Sequence, residues 1–518
     1  MQQGEPVKRK RRGQDSDAKR RSRAATHQPA WRIPRYLDKP IEPLSAEQIE
    51  KLLNAAHTVL ETTGVEFMSA EARRILRAGG AIVDEDTHLV RIGRDVVAAA
   101  MATAPKTFTI TPRNKERALP LGGDALVVSQ VASAPNCSDL VHGRRAGTRD
   151  DFRKFLKLSQ YFNCIHTIGG YPVEPIDIHP AIRGLEAMRD KLIFSDKATH
   201  TYSLSTGMVE DSMEMARLCA GLSDEQFCAS PRIYTNINTN SPLKIDQPMI
   251  EGPIRLAKRG QATIITPFTL AGAMAPVTIA GAVVQQTAEF LAAATVLQLV
   301  APGCPIVMGG FVSNVDMRSG APAFGTPEFM RGAQMGGQMA RRLGVPYRAA
   351  NVNASNSVDA QALWESVFSL WGVITGGVNY INHGAGWLEG GLVASFEKFI
   401  IDCELLYAIY AYLEPVDTSD AALGLDAIEE VGPGGHFFGC RHTQERFENA
   451  FYAPFMSDWR NFQSWFDDGA KSATERASSK FKEILATYKE PEMPSDCRGA
   501  LDDFVQRRIE EGGVKTDF

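Results

Sequence analysis

Hydrophobic positions along this chain change their spacing in a regular way. From residue 122 onward, short and nearly continuous apolar runs alternate with longer stretches in which apolar residues recur every three to four positions. The runs are the pattern of strands buried on both faces, and the stretches that of helices packed over them. Strands are predicted at 125–132, 164–170, 199–204, 232–237, 262–268, 305–310, 346–350 and 378–381. Helices are predicted at 148–160, 180–191, 208–221, 247–259, 278–300, 326–343, 358–372 and 394–413. Eight strand–helix units in about this length predict the α/β class and a closed (β/α)8 barrel, of the TIM type, over 122–414. Helix starts carry suitable chemistry: Asp246 precedes Gln247-Pro248, Thr326 precedes Pro327-Glu328, and Asp359 opens the seventh helix. A doubly wound open sheet is the rival. It would carry a glycine-rich phosphate loop after its first strand, where this chain has Ala134-Pro135-Asn136-Cys137.

The flanks read differently. Residues 31–121 are expected to form an N-terminal α+β cap. It has a helical period over 45–63, opened by a capping box of Ser45 and Gln48, a hairpin over 81–92 and a strand at 107–113. Residues 415–518 are expected to form a helical C-terminal extension, with helices at 458–467 and 470–487, packed on the barrel or on a partner subunit. Residues 1–30, crowded with Lys and Arg between Lys8 and Arg23, contain almost nothing apolar and are expected to be a disordered basic tail.

Composition narrows the function. The chain has 518 residues and a net charge of −5, so outside its basic tail it is acidic, and no nucleic-acid partner is expected. The longest apolar runs, such as 290–301, fall short of the ~20 residues that cross a bilayer, and no secretion signal is present, so no membrane partner is expected. Eight cysteines stand singly, without paired spacing, which points to a reducing, cytoplasmic compartment.

If the barrel closes as counted, reactive groups lie just beyond the strands' carboxyl ends. Those positions hold Tyr171 and Glu174, Asn236 and Asn238, Phe268, Phe311 with Asn314 and Asp316, then Asn351, Asn353 and Ser355, then His383, Trp387 and Glu389. A ring of aromatics and amides with few acids suits a methylated ammonium ion, which aromatic faces attract. Taken singly, each phenylalanine is also core filler and each asparagine a turn former. His383 reads as a ligand, a proton shuttle or a packed donor. His436 and His442, with Cys440 between them, match no standard zinc spacing, so no metal site is expected. Motifs for phosphate binding, a nucleophile elbow and HExxH are absent, and no catalytic residue is assigned.

The segments 272–289, 359–365 and 384–402 resemble the trimethylamine methyltransferase (MttB-type) superfamily, in its branch without pyrrolysine, and the resemblance runs from about residue 35 to 455. It implies a (β/α)8 barrel that moves a methyl group from a quaternary amine, glycine betaine or a related betaine, to the Co(I) corrinoid of a partner protein. The special residue of trimethylamine enzymes falls near the seventh loop. Here that loop, 351–357, holds ordinary residues, which argues against trimethylamine. No corrinoid-binding DxHxxG is complete: Asp177-Ile178-His179 is followed by Ile182 where glycine is required. The corrinoid is therefore expected on the partner, with none bound covalently to this chain, and the chain is expected to be a homo-oligomer. Two alternatives stay open: a quaternary-amine binding or regulatory protein that kept the barrel without catalysis, and a trimethylamine:corrinoid methyltransferase. An aldolase-like barrel ranks low, because no predicted strand core contains a lysine.

Overall fold

The computed structural model of the protein describes residues 28–514; the basic segment Lys8 to Arg23 lies outside them. Eight parallel strands form its central sheet: β1 (Val127–Val128), β2 (Thr167–Ile168), β3 (Ala198–His200), β4 (Ile233–Thr239), β5 (Ala262–Pro267), β6 (Ile306–Gly309), β7 (Tyr347–Ala350) and β8 (Tyr380–Asn382). They neighbour one another in chain order, and β8 pairs back onto β1. The helices α1 (Arg149–Tyr161), α2 (Pro180–Phe194), α3 (Thr206–Cys219), α4 (Gln247–Lys258), α5 (Ile279–Val300), α6 (Pro327–Leu343), α7 (Ala360–Thr375) and α8 (Phe396–Tyr412) follow the strands one for one.

Closure falls at the seam between β1 and β2. There the ladder shrinks to a single parallel bridge, Ser129 to Thr167. A side chain completes it: the His166 amide donates to the Val128 carbonyl at 2.7 Å, and the Val128 amide donates to His166 Nδ1 at 3.0 Å. The imidazole takes over an acceptor role that a backbone carbonyl holds elsewhere. It is fully buried, and burial lowers its pKa to about 3, so the ring is neutral and Nδ1 is free to accept. A closed barrel, rather than an open sheet, is the result.

Inside the barrel, side chains alternate as they must along any strand. The tyrosine hydroxyls of Tyr234 on β4 and Tyr380 on β8 meet at 2.7 Å across the interior, and Thr167 on β2 reaches Tyr234 at 2.9 Å. Below them lie Val127, Ala198, Ile264 and Val307, packed with Ile110, Leu119 and Leu121. The latter three come from the antiparallel pair Phe108–Ile110 and Leu119–Leu121, which plugs the foot. Two residues further along each strand the inward positions turn small or polar: Ser129, His200, Asn236, Thr266, Gly309, Asn382. Gly309 has no alternative, since a Cβ there would lie 2.0 Å from Thr266 Oγ1.

The N-terminal elements pack on α5. Helices Ala46–Thr58, Ala70–Ala78 and Arg94–Met101 cover it from outside, while β5 and β6 lie beneath. This explains why α5 is largely apolar and has no solvent-facing polar stripe: at 22 residues it is long enough to cross a membrane, yet most of it is buried in protein. The Ser45–Gln48 capping box forms, and Ile82–Val83 pairs with Leu89–Arg91 as a hairpin. In the C-terminal part, Ala473–Thr487 packs against α8 and α1. A further helix, Ser495–Glu510, which the periodicity did not suggest, packs against α2 and α3.

Candidate active site

Beyond the carboxyl ends of β5 to β8 the aromatic rings form a connected chain. Phe268 meets Phe311 with ring centres 4.7 Å apart; Phe311 meets Phe324 edge-on at 5.6 Å; Phe324 meets Trp387 at 6.3 Å; and Trp387 lies 4.2 Å from the His383 ring. Four predicted positions are thus brought together through Phe324, which sequence reading missed. Phe324 arrives on an excursion after β6, in which Ser313–Val315 pairs antiparallel with Pro322–Ala323. Its only signal in the sequence is a lone aromatic in an otherwise polar and Gly/Pro-rich loop.

Backbone and amide bonds hold these rings. The Trp387 indole donates to the Asn353 carbonyl at 3.0 Å, and Asn351 Nδ2 donates to the Gly384 carbonyl at 3.1 Å, so the loops after β7 and β8 are locked together. Asn353 Nδ2 donates to Ser366 Oγ at 3.2 Å. That hydroxyl also receives Lys398 Nζ at 2.7 Å, and Lys398 pairs with Asp402, whose other oxygen accepts the Gly386 amide at 2.9 Å. This buried ion pair on α8 positions both loops. A lysine and an aspartate four apart in a largely apolar helix are the signal that could have found it. The side-chain oxygens of Asn351 and Asn353 remain buried without a hydrogen-bond partner.

The loop after β7 is shaped by acids on α7. Glu365 Oε2 accepts the amides of Ala354 and Ser355 at 2.9 and 3.0 Å, and Asp359 caps the helix by accepting from Gln361 and Ala362. Asp359 is therefore a helix cap, as its place at the start of the seventh helix predicts.

His383 resolves toward a packed role. Its backbone is left-handed (φ 57°), and its Nδ1 accepts the Ala132 amide at 3.1 Å. The neutral ring then carries its proton on Nε2. Burial and the nearby Arg348 cation hold its pKa well below the ordinary histidine value, so it is uncharged at neutral pH.

Arg348 itself projects inward from β7, in register between Gly309 and Tyr380. It is 2% exposed and joins no ion pair among the described residues. Its guanidinium sits 5.7 Å over the Phe311 ring, makes one long bond of 3.4 Å to the Gly310 carbonyl, and leaves Nε without a partner. Burial lowers its pKa to about 10, with the Tyr380 and Tyr347 hydroxyls acting the other way, so it stays charged at neutral pH.

The remaining predicted positions lie elsewhere. Tyr171 belongs to a second aromatic group, 4.5 Å from Tyr202, which in turn lies 4.7 Å from His200. Asn236 accepts from Thr266 Oγ1 at 2.8 Å and donates to Asn238, which is exposed. Glu389 pairs with Arg144 at 3.0 Å on the rim. Asp316 closes a turn on Ser319, and Glu174 pairs with Arg183. His442 meets the Ala421 carbonyl and Cys440 the Thr443 hydroxyl. A cavity of about 20 Å³, lined by Arg113, Lys197 and Arg232 among others, lies at the opposite end, beside the amino ends of β3 and β4.

The chain is 33% identical over 471 residues to a glycine betaine methyltransferase of Desulfitobacterium hafniense (strain Y51), covering 91% of this chain and 98% of that one. It is 27% identical to the trimethylamine methyltransferase MttB of Desulfitobacterium hafniense (strain DSM 10664 / DCB-2), over 91% and 94%. It is 26% identical to a proline betaine:corrinoid methyltransferase of Eubacterium limosum, over 91% and 98%. The family model for trimethylamine methyltransferase (MTTB) matches residues 9–513. Near full-length matches of this kind, on a closed barrel with its aromatic chain at the carboxyl end, leave no doubt of kinship: the chain belongs to the trimethylamine methyltransferase (MTTB) family of enzymes.

Proposed function

We propose that the protein transfers a methyl group from a betaine, a quaternary ammonium that also carries a carboxylate, to the corrinoid of a partner protein. The observation that carries this reading is the near full-length match to a glycine betaine methyltransferase. The match to a proline betaine:corrinoid methyltransferase agrees with it.

The chemistry asks little of acids and bases. When the C–N bond of a quaternary ammonium breaks, the electron pair stays on nitrogen and the amine leaves neutral, so no proton donor is needed. The corrinoid supplies the reduced metal centre that takes the methyl group. The chain's own residues have three tasks: to hold the cation, to align one methyl with the mouth, and to keep water out. Phe268, Phe311, Phe324 and Trp387 suit the first task, since each good cation–π contact contributes on the order of 0.5–2 kcal/mol. A neutral, backbone-tethered His383 fits a packing role.

A partner docking at the mouth accords with the surface there. Val141, Ile176, Leu204, Val277, Met317 and Leu392 are exposed, one on each of the loops after β1, β2, β3, β5, β6 and β8. Apolar residues set around one opening mark an interaction site. Eight cysteines, all as free thiols, suit a reducing cytoplasm.

The test is methyl transfer to a reduced corrinoid protein, followed by the change in the corrinoid absorption spectrum, with glycine betaine, proline betaine, carnitine, choline and trimethylamine as donors. Turnover with a betaine and little with trimethylamine is expected. Rapid turnover of trimethylamine, or none with any betaine, overturns the reading.

A further inference from the structure

Arg348 is an anomaly that methyl transfer alone does not explain. A site meant for a bare methylammonium cation gains nothing from a guanidinium beneath its aromatic rings, because like charges repel in a medium that screens poorly. Burying an uncompensated charge is also expensive, and buried arginines are ordinarily paired. Here no carboxylate pairs with it among the described residues, its Nε has no acceptor, and its one carbonyl contact is long. Two rings of the candidate site are near it: Phe311 lies under the guanidinium, and the charge is close enough to His383 to lower its pKa. A cation in the wall of a cation-binding site makes sense when the ligand brings its own anion.

Resting on the betaine reading above, we propose that Arg348 binds the substrate's carboxylate and so sets the preference of this site for zwitterionic methylammonium compounds over purely cationic ones. The planar fork of the guanidinium matches a carboxylate, and its free Nε supplies a donor. The aromatic chain from Phe268 to Trp387 then holds the ammonium end, one or a few carbons away. Opposite charges on the ligand meet opposite surroundings in the protein. A bare tetramethylammonium gains the aromatic contacts, suffers the repulsion and leaves Arg348 unpaired.

Calorimetric titration of the full chain with glycine betaine, glycine betaine methyl ester and tetramethylammonium tests this. The ester keeps the shape and the ammonium but removes the negative charge. The parent is expected to bind betaine at least about tenfold more tightly than either cation, as a charge-assisted bond of roughly 1.5–3 kcal/mol requires. R348Q should bring the three affinities within about threefold of one another, and R348K should keep a reduced preference for betaine. A parent that binds the ester as well as the betaine, or an R348Q that keeps the parent's ratio, overturns the assignment while leaving betaine transfer intact. A parent that binds none of the three and demethylates no betaine overturns the betaine reading, and this assignment with it. The parent's own comparison and R348K decide the matter even if R348Q fails to fold.

Discussion

Lys197 and Arg348 are both buried cations of the barrel, and their surroundings are opposite. Lys197, at the foot and 4% exposed, donates to three backbone carbonyls, those of Ser159, Phe162 and Ile165, at 2.6, 2.8 and 2.6 Å, and lies 5.4 Å over the Trp31 ring. All three ammonium donors are used. Arg348, higher in the interior, uses one long bond. Lys197 is complete in itself, whereas Arg348 keeps Nε unmatched, near the unmatched side-chain oxygens of Asn351 and Asn353; at the foot the unmatched buried atoms belong to other residues, among them Arg113, Arg117 and Arg232. An unmatched buried group costs stability, and beside the aromatic chain at the mouth it is a group that a ligand can complete.

The contrast can be broken at either end. The largest effect is expected at the foot, under acid. His166 has an ordinary pKa near 6.5 when unfolded and about 3 when folded. Between those values the unfolded chain binds a proton that the folded chain lacks, so stability is full above pH 6.5 and is lost as pH falls toward 3, by about 4 kcal/mol across the window. H166Q cannot titrate, and its unfolding free energy should fall less steeply between pH 6 and pH 4; equal slopes for parent and variant would remove the seam as the source. Next in size, K197M strands three carbonyls, and a loss of about 3 kcal/mol in denaturant unfolding is expected.

At the mouth the effects move from stability to binding. F311A and W387A should weaken betaine binding by roughly threefold to thirtyfold, about 0.7–2 kcal/mol. Each should cost the ligand-free protein less stability than truncation of Ile306, and a variant that binds betaine as the parent does would return its ring to mere packing. Smallest of all, R348M should leave the ligand-free protein as stable as the parent or more so, by about 1 kcal/mol, since it replaces an unpaired charge with an apolar chain. If R348M destabilises as K197M does, the two cations are alike after all and the contrast fails.

Much of this was legible in the sequence. The eight units stood out because strands covered on both faces read as unbroken apolar runs, and the positions just beyond them gave Phe268, Phe311, His383 and Trp387 without any knowledge of contacts. Phe324 was not legible, because its place depends on how far a hairpin folds back, and no local pattern encodes that. Nor was the role of Lys197 legible: a lysine just ahead of a strand looks the same whether carbonyls, an acid or solvent receive it. Glu389 and Asn238 show the converse limit, for chain position placed them at the mouth while Arg144 and solvent claim their side chains. Ser495–Glu510 escaped notice because it buries only a narrow face, chiefly Leu501, Phe504 and Val505.

The hairpin that carries Phe324 has a further consequence, for how such an enzyme changes over time. Its tip, residues 316–321, is exposed and held by its own turn, with Gly320 donating to the Asp316 carbonyl at 2.7 Å, whereas Phe324 at its base is 2% exposed. Just beyond, Gly325 lies so close to α7 that a Cβ there would come within 2.3 Å of the Glu365 Cβ. The base is fixed by crowding and the tip is not. Insertions and replacements at the tip are therefore nearly free for the barrel, yet they alter the approach to the ring that joins Phe311 to Trp387. Diversification of donor range within such a lineage has an inexpensive route through this hairpin, one that leaves the strands, the seam and the buried cations as they are.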